Sequence, residues 1–370
     1  MKYEEKQFSC YLYDQIDHEK EAAHPDNPRN FMGSLSPLIS AMVSREAGAI
    51  LYEDLAGQFG SDYISRMIRC GVLRREEQKV YLDTPVFLES DASVLADHFA
   101  SAAEEIADLI ISCKQPLYEL AGKIDNGFSP ERNLYHLLCG WSMDGAMIDR
   151  LIQEDIISEG RSHPTGLDYL LILYEKCPAL DVFSTRLLCS FNRCVQEGCA
   201  LESFGDADGN RLDCFRYFRL KEQGKLTPAF APIREAMNGL SAADLVRAAK
   251  ALASGQAADA RAVRALEAFC YVRNGKICVP VFRPEHDVLF YAIEELLEKL
   301  LLNAIADVFA GMRNLRLTSS LHRVPLKETA NECWHILFGS INEALVKKGF
   351  VAPPEAYDGE GRYLRCIVLG

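Results

Sequence analysis

The 370-residue sequence lacks most of the features that mark a functional class. No apolar run approaches the roughly 18 residues of a membrane span. The opening Met1-Lys2-Tyr3-Glu4-Glu5-Lys6 is polar where a secretory signal would be apolar. A cytoplasmic protein with no membrane partner is expected. Among the 13 cysteines no Cys-x-x-Cys pair occurs, and an odd, scattered set reads as small buried hydrophobes in a reducing compartment. Gly-x-Gly-x-x-Gly, Gly-Lys-Ser/Thr, Gly-x-Ser-x-Gly and His-Glu-x-x-His are all missing, so the chain does not read as an enzyme. No two of the eight histidines have metal-ligand spacing, and His136 and His335 read as structural residues on apolar helix faces. Cys189, Cys194, Cys199 and Cys214 fall close together. Steps of five along a helix turn each thiol by about 140°, so they would not converge. Asp206-Ala207-Asp208-Gly209-Asn210 resembles a calcium loop, but its glycine comes too early and Tyr217 stands where the closing glutamate belongs. No metal and no cofactor are expected.

What is present is an ordinary globular composition, 49% hydrophobic and 25% charged, with a net charge of −13. That charge excludes a general nucleic-acid coat protein but not a local basic face. Internal repeats come first in such a reading. Val94-Leu95 recurs as Val288-Leu289, Leu151-Ile152 as Leu345-Val346, Ile157 as Val351 and Tyr169-Leu170 as Tyr363-Leu364, always 194 positions on. Pro85-Val86-Phe87 returns as Pro280-Val281-Phe282, and His136-Leu137-Leu138-Cys139-Gly140 as His335-Ile336-Leu337-Phe338-Gly339, at offsets a few residues larger. These matches predict a tandem duplication. A polar arm would occupy 1–39, repeat one 40–176, a connector 177–234 and repeat two 235–370.

Within each repeat the local signals follow one order. Gly48 to Phe59 and Asp62 to Cys70 read as two helices, with Ser61 or Asp62 as N-cap of the second and Gly71 in the left-handed C-cap position. Val72-Leu73 and Val80-Tyr81-Leu82 then read as a hairpin. In the second copy, helices at Leu245 to Leu252 and Ala257 to Phe269 precede a hairpin closed by Arg273-Asn274-Gly275-Lys276, and Asn-Gly between apolar runs is a strong hairpin signal. Residues 48–88 and 243–283 resemble the winged helix-turn-helix superfamily at the level of the fold. The predicted class is therefore mostly α with small β-hairpins (α+β). Helix-hairpin patterns at 146–174 and 341–369 suggest a second such unit in each repeat.

After each hairpin comes a long amphipathic helix. Leu95, Phe99, Ala103, Ile106 and Ile110 share a face in one, and Leu289, Ile293, Leu297, Leu300 and Ala304 in the other. Packing of repeat on repeat is the first expectation. Leu296, Leu297, Leu300, Leu301 and Leu302 together exceed what one face needs, which makes a homodimer seam the alternative.

Residues 41–180 carry 12 Lys/Arg against 23 Asp/Glu, whereas 231–370 carry 17 against 16. Basic residues nonetheless cluster at the second helix and hairpin of both copies: Arg66, Arg69, Arg74, Arg75 and Lys79, then Arg261, Arg264, Arg273 and Lys276. The stretch from Val308 to Lys327 has no acid and adds Arg313, Arg316 and Arg323. The resemblance implies that such residues meet DNA phosphates while the second helix enters the major groove. The expected function is a duplex-DNA-binding transcription regulator of bacterial type. The alternative is a protein-interaction scaffold whose winged helices have lost DNA binding, which the net charge favours.

Overall fold

The computed structural model describes residues 3–14, 16, 20–21, 23–44, 48–185, 188–206, 212–353 and 364–370, with the side chains of 182–185 left aside. Strand β1 (Phe8–Asp14) turns Phe8, Cys10 and Leu12 to one apolar side, and α1 (Ser36–Val43) buries Leu38, Ile39 and Met42. Strand β2 (Ile50–Leu51) leads into α2 (Tyr52–Phe59) and α3 (Ser61–Arg69). The break between these helices is Gly60, whose φ of 92° suits glycine alone, so Ser61 is already helical. Strands β3 (Leu73–Glu76) and β4 (Lys79–Leu82) form a hairpin, followed by β5 (Val86–Phe87) and the 24-residue α4 (Glu89–Ser112). Helices α5 (Lys114–Ala121) and α6 (Pro130–Leu134) precede a π-helical segment, Tyr135–Ala146. Then come α7 (Met147–Gln153), β6 (Arg161–Ser162), β7 (Asp168–Glu175) and α8 (Pro178–Thr185).

The remainder begins with a hairpin, β8 (Leu188–Gln196) and β9 (Cys199–Asp206), and two short helices, α9 (Cys214–Glu222) and α10 (Ala231–Ala236). Helix α11 (Ala242–Ala253) starts at a full capping box between Ser241 and Asp244. Asp259 caps α12 (Ala260–Ala268) by accepting from the amides of Arg261 and Ala262. Strands β10 (Val272–Arg273) and β11 (Lys276–Ile277) are joined by Asn274-Gly275, both at positive φ, as a type I′ turn requires. Strand β12 (Val281–Phe282), the 25-residue α13 (Asp287–Gly311), α14 (Thr318–Leu321), α15 (Leu326–Lys347) and β13 (Leu364–Leu369) complete the chain. The protein is thus mixed α+β, mostly helical with several small sheets. No helix among the described residues is long and apolar enough to cross a membrane.

The chain divides into two units that do not follow its linear halves. The first comprises Met1–Ala102, Ile148–Ser184 and Leu302–Leu337; the second comprises Ala103–Met147, Thr185–Leu301 and Phe338–Gly370. In the first unit, β7 is central, pairing antiparallel with β1 and β6 and parallel with β5. In the second, β13 is central, pairing antiparallel with β9 and parallel with β12, while β8 extends the sheet beyond β9. Each unit has its own apolar core. One gathers Leu55, Ile64, Met67, Leu82 and Leu171; the other gathers Leu245, Leu266, Phe269, Tyr271 and Ile367.

Several expectations change here. Residues 8–14, read as part of a polar arm, form a strand of the first sheet. The connector cysteines lie mostly on a β-hairpin, Cys189 and Cys194 in β8 and Cys199 in β9, with Cys214 opening α9. None forms a disulfide among the described residues. The Cys194 and Cys214 thiols, expected not to converge, hydrogen-bond to each other because they sit on a strand and a helix rather than on one helix. Of the supposed calcium loop, Asp206 ends β9, and Ala207–Asn210 lie outside the described residues. Of the suggested second helix-hairpin units, the first has α7 followed by the antiparallel β6–β7 pair, with β7 also the central strand of its sheet. In the second, Ile341–Lys347 is the end of α15, and residues 354–363 lie outside the described residues. All five apolar positions named in α4 are buried. In α13 the buried row is Ile293, Leu297, Leu301, Ile305 and Phe309, with Leu289, Leu296, Leu300, Leu302 and Ala304 half-buried.

Candidate nucleic-acid interface and a buried polar cluster

In the first unit, α3 and the β3–β4 hairpin carry their arginines into internal contacts. Arg66 Nε lies 3.0 Å from Asp26 Oδ1, its guanidinium also donates to the Pro25 carbonyl, and Arg69 reaches the same carboxylate at 3.5 Å. Arg74 pairs with Glu76, and with Asp83 at 3.3 Å, and donates to the His322 carbonyl at 3.2 Å. Arg75 stacks on Tyr52 at 4.0 Å and donates to the Glu77 carbonyl. Arg323 pairs with Glu76 at 3.2 Å and sits over Tyr81. Lys79, Arg313 and Arg316 are exposed, and no ion pair holds them among the described residues. A cleft of about 340 Å³ beside this hairpin is lined by Arg74, Arg161, Asp83 and His163. Its charges are also spent, since Asp83 takes Arg161 at 3.1 Å and Glu328 takes it at 3.2 Å.

The second unit differs. Arg261 and Arg264 lie exposed along α12, three residues apart on one helical face. Arg264 and Lys276 make no ion pair among the described residues. Arg273 and Lys276 stand opposite each other in the β10–β11 register. Like charges in that position destabilise a hairpin, whereas the first hairpin places Glu76 opposite Lys79. Further basic groups flank this face. Arg247 is held by Asp244 and Glu197, Lys250 donates to the Glu197 carbonyl, and Arg283 donates to the Ala253 carbonyl.

The second unit also contains a cluster that sequence spacing could not reveal. His136 Nε2, Glu202 Oε2 and Cys366 Sγ meet with separations of 3.3, 3.1 and 3.5 Å for N···O, N···S and S···O. Each comes from a different element: the π-helical segment, β9 and β13. His136, Glu202 and Cys366 have no solvent exposure. Glu202 lies opposite Cys366 in the antiparallel register, which puts the two side chains on one face of the sheet. The Trp141 indole N–H donates to Glu202 Oε2 at 2.8 Å, and Arg193 lies 2.8 Å from Oε1. Phe191, Trp141 and Phe282 surround the imidazole at ring distances of 5.4–5.8 Å. His136 Nδ1 has no hydrogen-bond partner among the described residues. Burial holds the His136 imidazole below its ordinary range, with Glu202 opposing, and pushes the Cys366 thiol well up. The wide winding of the segment is uncommon and recurs at functional positions. Residues 66 and 164 apart in the chain share no local spacing. The only sequence signal was the matched run beginning at His136.

Comparison with protein-family models, curated proteins and solved structures finds no match for this chain.

Proposed function

We propose that the chain is a duplex-DNA-binding regulatory protein of winged-helix type, contacting DNA through α12 and the β10–β11 hairpin. The observation that carries this reading is the exposed set Arg261, Arg264, Arg273 and Lys276, with Arg264 and Lys276 in no ion pair among the described residues and a like-charge pair across a two-residue turn. The helix, turn, helix, hairpin order supports the winged-helix resemblance. A tandem duplication is part of the same reading. Its support is that the parallel pairings Val86 with Leu173 and Val281 with Ile367 lie at the predicted offset, on sheets with the same antiparallel–central–parallel order. By that correspondence the first copy has turned its arginines inward, so the second carries the binding. Arg313 and Arg316 add exposed charge, but no regular groove-facing element presents them.

The test is titration of full-length protein into labelled random and genomic duplex DNA across salt. Log affinity should fall with log salt by about 0.9 per phosphate neutralised. Replacing Arg273 and Lys276 by alanine should weaken binding on all sequences and flatten that slope by up to about two units. Arg264→Ala should relax sequence preference, as expected for a residue on the groove-entering helix. No duplex binding at about 50 mM salt, where the electrostatic contribution is still strong, rejects the proposal.

A second reading is favoured by one observation, the internal neutralisation of Arg66, Arg69, Arg74 and Arg323. A fold that has consumed these charges suits an interaction scaffold. Absence of DNA binding by folded wild-type protein at about 50 mM salt would favour it.

A further inference from the structure

We propose that His136, Glu202 and Cys366 bind one zinc ion that fastens the π-helical segment to β9 and β13. This departs from the metal-free expectation of the sequence and does not depend on DNA binding.

The geometry carries the argument. Zinc bonds of about 2.0–2.1 Å to nitrogen, 2.0–2.2 Å to oxygen and 2.3 Å to sulfur, at tetrahedral angles, place the donor atoms about 3.3 Å (N···O) and 3.5 Å (N···S and O···S) apart. The three separations here are 3.3, 3.1 and 3.5 Å. They form one face of such a tetrahedron, contracted by a few tenths of an ångström on one edge.

Hydrogen bonds close two of the three edges: with His136 Nε2–H donating to Cys366 Sγ and the thiol donating to Glu202 Oε2, the 3.3 Å N···O edge has no proton of its own. If His136 Nε2–H and the Cys366 thiol both donate to Glu202 Oε2, that oxygen receives three donors counting Trp141, more than its two lone pairs. The shortest edge, between sulfur and nitrogen, is then left without a proton between its atoms. If instead the thiol donates to Nε2, that nitrogen cannot also donate to Oε2, and two acceptors face each other at 3.3 Å. A cation at the centre serves all three edges together.

Charge and ligand chemistry agree. The thiolate and the carboxylate supply two negative charges to a divalent ion, with the imidazole as neutral third ligand. Arg193 and the Trp141 N–H remain on Glu202 and fix its orientation. Binding replaces the thiol proton by the metal, so one proton leaves for each ion taken up. A thiolate beside imidazole favours zinc over calcium or magnesium, which take oxygen ligands. The ligands have no solvent exposure, so the ion enters during folding and is released on unfolding. The first unit has no equivalent: in the matching register Ile172 and Tyr11 stand where Cys366 and Glu202 do, and an aliphatic side chain cannot ligate.

Full-length protein expressed in zinc-containing medium and dialysed extensively is assayed by elemental analysis. About one zinc per chain is expected, resistant to a chelator in the native state and released to a chromophoric chelator in guanidinium. Refolding with cobalt(II) should give a thiolate-to-cobalt charge-transfer band. Cys366→Ser should remove that band, and His136→Gln should reduce metal content to background. Folded wild-type protein that holds no stoichiometric metal and gives no thiolate band with cobalt overturns the proposal. Where a variant fails to fold, the wild-type measurements decide alone.

Discussion

Single buried residues set the chemical conditions under which this fold survives, and His322 is the clearest case. The Leu82 amide donates to its Nδ1 at 3.2 Å, which requires that nitrogen to be unprotonated. Burial lowers the His322 pKa to about 4, with Arg74 adding to the effect and a hydrogen bond involving the Gly48 backbone opposing it. The folded state therefore refuses a proton that the unfolded chain accepts from about pH 6.5. Stability from this residue is complete above that pH, falls between about 6.5 and 4, and changes no further below. The maximum loss is roughly 3 kcal/mol. Burial also lowers the pKa of His163 and His286, which act in the same direction. Buried Asp91 and Glu328 have raised pKa values and oppose them, because their protonation relieves the folded state as pH falls. A comparison of wild type with His322→Asn isolates the one residue. The variant should be less stable at pH 7.5 yet lose less on acidification to pH 4, as read from denaturant midpoints. Parallel pH profiles would show that His322 does not titrate in this way.

Elements carry two further predictions, with opposite signs for stability. On the β10–β11 hairpin, Lys276→Glu replaces a like-charge cross-strand pair with an ion pair opposite Arg273. The change should stabilise by about 0.5–1 kcal/mol while weakening duplex binding, so thermal melting and DNA titration should move apart. If both fall together, the hairpin charge is structural. On α13, Leu297 is 1% exposed within the row from Ile293 to Phe309. Leu297→Asp should cost about 3–5 kcal/mol, because a carboxylate there is buried without a partner. An unchanged melting temperature would refute that burial. These elements were readable in sequence because their signals are local: the Asn274-Gly275 turn, left-handed Gly71 after α3, and apolar spacing in α4 and α13. What was missed is non-local. Strand β1 has the alternation Phe8, Cys10, Leu12, but its partner β7 lies more than 150 residues away, so it read as a polar arm. The arginines of α3 and β3 looked available because their acceptors, Asp26 and Asp83, lie outside those elements. His136, Glu202 and Cys366 become neighbours only once β9 and β13 have paired.

At the scale of the molecule, each unit is assembled from both ends of the chain. The first takes Leu302–Leu337 from the C-terminal half, including buried Phe309, Trp334 and Leu337. Glu332 from the same stretch accepts from Tyr13 at 2.7 Å and from Tyr174 at 2.5 Å, joining a late helix to β1 and β7. The second takes Ala103–Met147 from the N-terminal half, including buried Leu117, Tyr135 and His136. Each large apolar side chain contributes about 1.5–3 kcal/mol when fully buried, against a total domain stability of roughly 5–15 kcal/mol. Removing three such side chains and leaving Tyr174 without its acceptor is therefore a loss of the same size as the margin. Residues 1–186 expressed alone should lack a cooperative melting transition or self-associate, although the predicted repeat one lies entirely within them. Co-expressed with residues 187–370, the same fragment should recover the intact chain's circular dichroism spectrum and copurify in a 1:1 ratio. A monomeric 1–186 fragment that melts as sharply as the intact protein would show that the first unit does not need the C-terminal helix. The tyrosine–glutamate contacts would then be incidental to its folding.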